Sequence, residues 1–65
     1  MGKKLKALRI KMGYSQKDMA NALGYTSPSI VSGIEKGTRT MSGVSIKCME
    51  YLEFIFDKNP NALIL

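Results

Sequence analysis

The stretch SQKDMANALGYTSPSIVSGIEKG, residues 15–37, is the most informative about the fold of this 65-residue chain. It contains two short segments in which apolar residues recur at helical spacing. In the first segment the apolar stripe consists of Met19, Ala20 and Leu23. Ser15 is followed three residues later by Asp18, which is a variant of the capping box that begins many helices. The pattern predicts a helix over about residues 16–23, which Gly24 ends.

The second segment opens with a strong start signal. Ser27 is a good N-cap, and Pro28 stands at the first helical position, where its missing N–H costs nothing. The pattern predicts a helix over about residues 28–36 that Gly37 ends, with an inward side made of Val31 and Ile34 and with Ile30 beside them. Gly33 weakens the middle of this helix by about 1 kcal/mol relative to alanine, so some other requirement must favour a small residue there.

The spacing of Gln16, Ala20 and Gly24, four residues apart, is typical of a helix-turn-helix. Two helices that cross closely near residue 20 leave room for only a small side chain, and the turn that follows needs a residue that accepts a positive φ. The sequence therefore predicts a helix-turn-helix over about residues 16–36.

The flanking segments complete an all-α domain. A first amphipathic helix over about residues 2–12 is indicated by Leu5, Leu8 and Met12. Ser42 can cap a fourth helix over about residues 43–57, whose apolar positions cover more than one face. Residues 61–65 are apolar and fit one helical turn or a strand. We expect one domain over residues 1–65 with four helices and a short C-terminal apolar element.

The net charge of +5 is unevenly distributed. Residues 1–41 hold eight basic and two acidic residues, about +6, whereas residues 42–65 hold two basic and three acidic residues, about −1. The first part has the charge of a surface that binds a polyanion. On charge alone, a solvated surface that happens to be basic is an equally good interpretation.

Several classes of function lack the residues that they need. The chain has one cysteine, Cys48, and no histidine, so a disulfide, a metal site and a Cys–His nucleophile all lack partners. No carboxylate pair or phosphate-binding loop stands in a suitable context, and no signal peptide or membrane span fits. We therefore expect a cytoplasmic protein that is not an enzyme and that needs no metal or other cofactor, with Cys48 in the core or at an interface.

The ordered motifs of the chain resemble those of the lambda-repressor-like family, also called Cro/CI or XRE. They are Leu8-Arg9, Tyr14-Ser15-Gln16-Lys17-Asp18-Met19-Ala20, Leu23-Gly24-Tyr25, Ser32 and Ile34-Glu35-Lys36-Gly37. The family pattern reads L-R, G-x-S-Q-x-x-x-A, L-G and I-S-x-x-E-x-G, and the match covers about residues 5–42. The turn between Gly24 and Val31 is one residue longer than in the commonest members, and it fits a variant with L-G-Y-x-S-P.

The resemblance implies a double-stranded DNA-binding transcriptional regulator whose third helix enters the major groove. It implies a DNA surface made of Gln16, Lys17, Ser27, Pro28, Ser29, Ser32, Gly33, Lys36, Thr38 and Arg39. Arg9 and Glu35 correspond to a structural ion pair in the family, although Arg9 could alternatively contact a phosphate.

The chemistry of these residues suggests how the DNA is read. The third helix lacks the Arg, Asn or Gln that recognises bases through two hydrogen bonds, so Ser29 and Ser32 would supply only modest direct readout. Phosphate contacts and DNA shape would then carry much of the affinity, and Arg39 is the best candidate for a phosphate contact. Gly33 would allow the helix to approach the groove closely.

The fourth helix and tail, residues 43–65, suggest assembly. They carry more apolar surface than one chain can bury, and a homodimer through this region would suit a palindromic operator. The expected interface consists of Leu52, Ile55, Phe56, Leu63, Ile64 and Leu65. We therefore expect a homodimeric repressor or autoregulator.

A weaker resemblance leaves an alternative open. Met41-Ser42-Gly43 and Lys58-Asn59-Pro60 resemble the ends of antitoxin-type and mobile-element autoregulators. An antitoxin would bind a partner protein, a toxin, as well as DNA, usually through a C-terminal extension longer than the one here. RNA binding is a remote third possibility, because no platform of aromatic residues is present.

Overall fold

The computed structural model describes residues 2–63, with side chains over residues 2–61. Within them lie four α-helices and a short 3-10 helix: α1 (Gly2–Lys11), α2 (Gln16–Leu23), α3 (Pro28–Lys36), α4 (Gly43–Lys58) and η1 (Pro60–Leu63). The expected all-α, four-helix class is confirmed, and the C-terminal element is helical rather than a strand. Of the expected interface residues, Ile64, Leu65 and the side chain of Leu63 lie outside the described part.

The helices of the central unit begin and end where local chemistry dictates. The Ser15 hydroxyl accepts a hydrogen bond from the Asp18 N–H, and the Asp18 carboxylate accepts one from the Ser15 N–H, both at 3.0 Å. This confirms the capping box. Gly24 and Gly37 follow α2 and α3 with φ of 80° and 85°, a left-handed conformation that glycine adopts without strain. The Ser27 hydroxyl caps α3 by accepting from the Ser29 N–H.

The core lies where α2 packs on α3, with α1 against α3 and α4 against α2. Its buried apolar side chains are Leu5, Leu8, Tyr14, Met19, Ala20, Val31, Ile34, Met41 and Met49. Ala20 is buried, as expected for a small residue at a close helix crossing. Val31 and Ile34 turn one side of α3 into the core, and Ile30 packs partly buried beside them. The opposite side of α3 is therefore left on the surface.

Leu52 and Phe56, which we expected to lack partners within the chain, have them. Leu52 is half-buried against the core. The Lys11 ammonium lies 5.6 Å from the centre of the Phe56 ring and 2.8 Å from the Asp57 carboxylate. The hydrogen bond and the charge of Asp57 raise the pKa of Lys11 above its usual value. The end of α4 therefore lies beside the end of α1, and this contact uses part of the apolar surface that we had assigned to an interface.

A mostly buried ion pair joins α1 to α3. The Arg9 guanidinium donates to both oxygens of Glu35, at 2.7 and 3.3 Å, and to the backbone carbonyl of Tyr14 at 3.0 Å. Gln16, the first residue of α2, also donates to Glu35, at 3.3 Å. The exposed fractions of the Arg9 and Glu35 side chains are 16% and 6%. We call Arg9, Glu35, Gln16 and the Tyr14 carbonyl the Arg9–Glu35 network. Within it, Glu35 of α3 accepts hydrogen bonds from Arg9 of α1 and from Gln16 of α2.

We predict that Arg9→Ala and Glu35→Ala each lower the free energy of unfolding by about 1–3 kcal/mol, because each leaves a mostly buried charge without its partner. Denaturant melts of both single variants and of the double variant measure the coupling. The exposed pair Lys11 and Asp57 serves as a matched control, and its coupling should be much smaller because water screens it. A double variant of Arg9 and Glu35 whose loss equals the sum of the single losses would show that the pair contributes nothing.

Candidate nucleic-acid interface

The outward side of α3 forms a continuous polar surface. Helical spacing places on this side, away from Val31 and Ile34, the residues Pro28, Ser29, Ser32, Gly33 and Lys36, which we call the recognition face. Pro28, Ser29 and Lys36 are exposed, and Ser32 and Gly33 are half-buried. A helix that presents small and polar side chains over two turns can approach another macromolecule closely.

Two hydroxyl groups at the start of α3 are bonded to each other. The oxygens of Ser27 and Ser29 lie 2.8 Å apart, and Ser27 also accepts the N–H of Ser29 at 3.2 Å. Ser27 is therefore occupied in capping the helix. A hydroxyl has one donor hydrogen and two acceptor lone pairs, so the exposed Ser29 keeps hydrogen-bonding capacity for a base edge.

Gln16 has a partner that the sequence did not suggest. We expected its side chain to contact the backbone or the edge of the operator, and in the structure its amide nitrogen donates to Glu35. The remaining amide hydrogen and the carbonyl oxygen can still bond to a phosphate or to water. No local signal could have revealed this contact, because the two residues are nineteen positions apart in the chain. The neighbouring Lys17 is exposed at the first turn of α2.

The loop after α3 folds back onto the recognition face. The carbonyl oxygen of Gly33 accepts hydrogen bonds from the N–H groups of Thr38 and Arg39, at 2.9 and 3.2 Å. The Thr38 hydroxyl donates to the same oxygen at 3.1 Å. Thr38 and Arg39 are exposed, so the loop adds a cationic side chain to the polar surface of α3.

The electrostatics of this side favour an anionic ligand. Residues 1–41 contain two carboxylates, Asp18 and Glu35. Asp18 accepts the backbone N–H of Ser15 in the capping box, and Glu35 is paired with Arg9. Among the described residues, neither acid forms an ion pair with Lys36 or Arg39. Polyanions are attracted to such an imbalance at long range, and the attraction weakens with salt.

Three further features of the described residues concern metals, membranes and the single cysteine. They contain no group of histidine, cysteine or acidic residues that could hold a metal ion. None of the helices in the described part is long and apolar enough to cross a membrane. The half-buried thiol of Cys48 lies 3.7 Å from the carbonyl oxygen of Ala22, in a packing position between α4 and α2.

Two helices joined by a tight turn, the second with an exposed polar and basic face, define the helix-turn-helix class of DNA-binding domain. The helix-turn-helix family model matches residues 5–53 of the chain. The chain belongs to this family, of the Cro/CI or XRE type, whose members are DNA-binding transcriptional regulators. No curated protein and no solved structure matches the chain significantly. The resemblance noted in the sequence is thus confirmed, and the individual DNA contacts remain predictions.

We predict that Ser32→Glu lowers affinity for duplex DNA by about 100-fold or more, because a carboxylate on the recognition face would oppose the phosphates at close range. Ser32 is half-buried on the surface, so the variant should fold, as circular dichroism and a thermal melt would show. Ala7→Glu on the exposed side of α1 changes the net charge equally and is the control. Equal binding by both variants in a gel shift would place the DNA elsewhere on the protein.

Proposed function

We propose that the protein is a sequence-specific regulator that binds a palindromic DNA operator in the cytoplasm as a homodimer and represses transcription, its own included. The observation that supports this best is the exposed face of α3, with the cations Lys36 and Arg39 on it and beside it, while the one carboxylate of α3, Glu35, is paired with Arg9. This face is the one that enters the major groove in helix-turn-helix proteins.

We assign base contacts and phosphate contacts to side chains according to the chemistry of each. Ser29 and Ser32 would bond to base edges, and Lys36 would contact a guanine or a phosphate. Lys17, Thr38 and Arg39 would contact phosphates on either side of the groove. Because serines discriminate bases weakly, the sequence-dependent shape of the operator would contribute much of the specificity.

The proposed dimer uses the outer side of α4. Val44, Tyr51 and Phe54 are exposed there by 81%, 63% and 59%, and Ile55 is half-buried beside them. These four residues, which we call the α4 stripe, recur at helical spacing along one side of the helix. Compared with the interface expected from the sequence, the stripe retains Ile55 and adds residues that are turned away from the core.

Burial of this stripe against a second copy of the chain is more favourable than its exposure to water. Large exposed apolar residues in a row are unusual on a monomer of this size. Residues 42–65 carry a charge of about −1, so two copies of this region would not repel each other as the basic part would. A palindromic operator requires two copies of α3 about 34 Å apart, one turn of DNA, and a dimer with a twofold axis at the stripe is proposed to supply this spacing.

The antitoxin-type alternative uses the same stripe. A partner protein with a complementary apolar groove could cover Val44, Tyr51 and Phe54 in place of a second copy. The two cases differ in the state of the isolated protein, which is dimeric in the first and monomeric in the second.

We predict that selection from random duplex DNA with the purified protein yields one palindromic site. If each subunit contacts about five phosphates, affinity should fall by about 10³–10⁵-fold between about 50 and 200 mM salt, because bound counterions are released on binding. Fluorescence anisotropy over a salt series measures the slope. Failure to enrich any duplex, or an affinity that does not change with salt, would contradict the proposed function.

We predict a homodimer at micromolar concentration in analytical ultracentrifugation, and a monomer for Tyr51→Glu, which buries a charge in the α4 stripe. Ser32→Glu is the matched control: it adds the same charge on α3 and should remain a dimer that fails to bind DNA. A wild-type protein that is monomeric at every concentration would overturn the dimer and favour the alternative with a partner protein.

A further inference from the structure

Gly33 holds the loop that follows the recognition helix. Its carbonyl oxygen accepts hydrogen bonds from two backbone N–H groups and from one hydroxyl, those of Thr38 and Arg39. The left-handed conformation of Gly37 turns the chain back so that these groups reach the carbonyl. The backbone of Arg39 is therefore fixed to the middle of α3.

The side chain of Arg39 lies over the same glycine. A Cβ atom at position 33 would stand 3.0 Å from Cδ and 3.1 Å from Cγ of Arg39, and 3.3 Å from the Thr38 hydroxyl oxygen. These distances are shorter than ordinary van der Waals contact, so the aliphatic part of Arg39 fills the place that a side chain at position 33 would take. The arginine stem therefore lies against α3 at Gly33, whose neighbours one turn away on the helix surface are Ser29 and Lys36.

We propose that Gly33 is a positioning residue for Arg39: its missing side chain lets the arginine stem lie on α3 and sets the guanidinium where it binds a DNA phosphate. The proposal rests on the proposed function and adds to it a specific dependence of affinity on residue 33. It differs from the idea that Gly33 merely gives the helix clearance in the groove, because the effect of residue 33 now passes entirely through residue 39.

The physical consequence of Gly33→Ala is a displaced arginine in an intact helix. Alanine is a better helix former than glycine, and the atoms that its methyl group meets belong mainly to a flexible side chain. The arginine stem must therefore give by a few tenths of an ångström or adopt another rotamer, while α3 keeps its place in the core. A guanidinium moved from its phosphate costs affinity that depends on salt.

A double-mutant cycle on DNA affinity tests this dependence, with the duplex obtained by selection and the variants Gly33→Ala, Arg39→Ala and both together. We expect Arg39→Ala to weaken binding by about tenfold and to lower the salt slope by about 1 per subunit, as the loss of one phosphate contact should. Gly33→Ala should reproduce most of both changes. The double variant should bind no more weakly than Arg39→Ala alone.

A matched control uses the neighbouring position. Ser32→Ala removes a hydroxyl without adding an atom against Arg39, so its loss should multiply with that of Arg39→Ala. If the losses of Gly33→Ala and Arg39→Ala multiply as well, position 33 acts through the groove and the proposal is overturned. Gly33→Ala that binds like the wild type overturns it equally.

The contact between residue 33 and the Arg39 stem can be measured without DNA. This measurement therefore tests the positioning role of Gly33 separately from the proposed function. In ¹H–¹⁵N spectra, Gly33→Ala should shift the amides of Thr38 and Arg39 and the side-chain Nε–H of Arg39, and leave α1 and α4 unchanged. Unchanged resonances at residues 38 and 39 would contradict the positioning role. If the wild type binds no duplex at all, the proposed function fails, and these spectra still decide whether Gly33 positions the arginine.

Discussion

Hydrogen bonds to the Glu35 carboxylate join the first three helices of the protein. Glu35 is the one carboxylate of the recognition helix, and it accepts hydrogen bonds from Arg9 of α1 and Gln16 of α2. Two charges taken largely out of water gain little net stability from each other. They do, however, fix a geometry, because a different orientation of α3 would leave both charges buried and unpaired. The pair thus acts as a constraint on the direction in which α3 faces.

The same pair has an electrostatic consequence at the surface. A carboxylate on a helix that approaches DNA would repel phosphates if it pointed outward. With its side chain 6% exposed and bonded to Arg9, Glu35 leaves Lys36 and Arg39 as the charges that a polyanion meets on this side. The residue that holds the first three helices together therefore also keeps a negative charge away from the surface of α3. The stability of the domain and its binding of DNA are in this way linked through the Glu35 side chain.

How much the sequence could predict depends on the range of each interaction. The ends of α2 and α3 follow from Ser15, Gly24 and Gly37, because a cap acts on groups within four residues. The contact of Gln16 with Glu35 and the packing of Leu52 against the core require helices that are distant in sequence to meet, which periodicity does not specify. A glycine in the middle of a helix indicates that a small residue is required at position 33, but the group that needs the space, the stem of Arg39, depends on how the loop folds back.

The two surfaces of the protein lie on different helices and differ in chemistry: a polar, basic one on α3 and an apolar one on α4. Chemical-shift mapping with the selected duplex shows which of the two surfaces binds DNA, and we expect it to be the polar surface of α3. Residues 28–39 and the first turn of α2 should show the largest ¹H–¹⁵N shift changes, with small changes along α4. If the largest changes lay along α4 and residues 28–39 were unaffected, α3 would not be the DNA-binding surface.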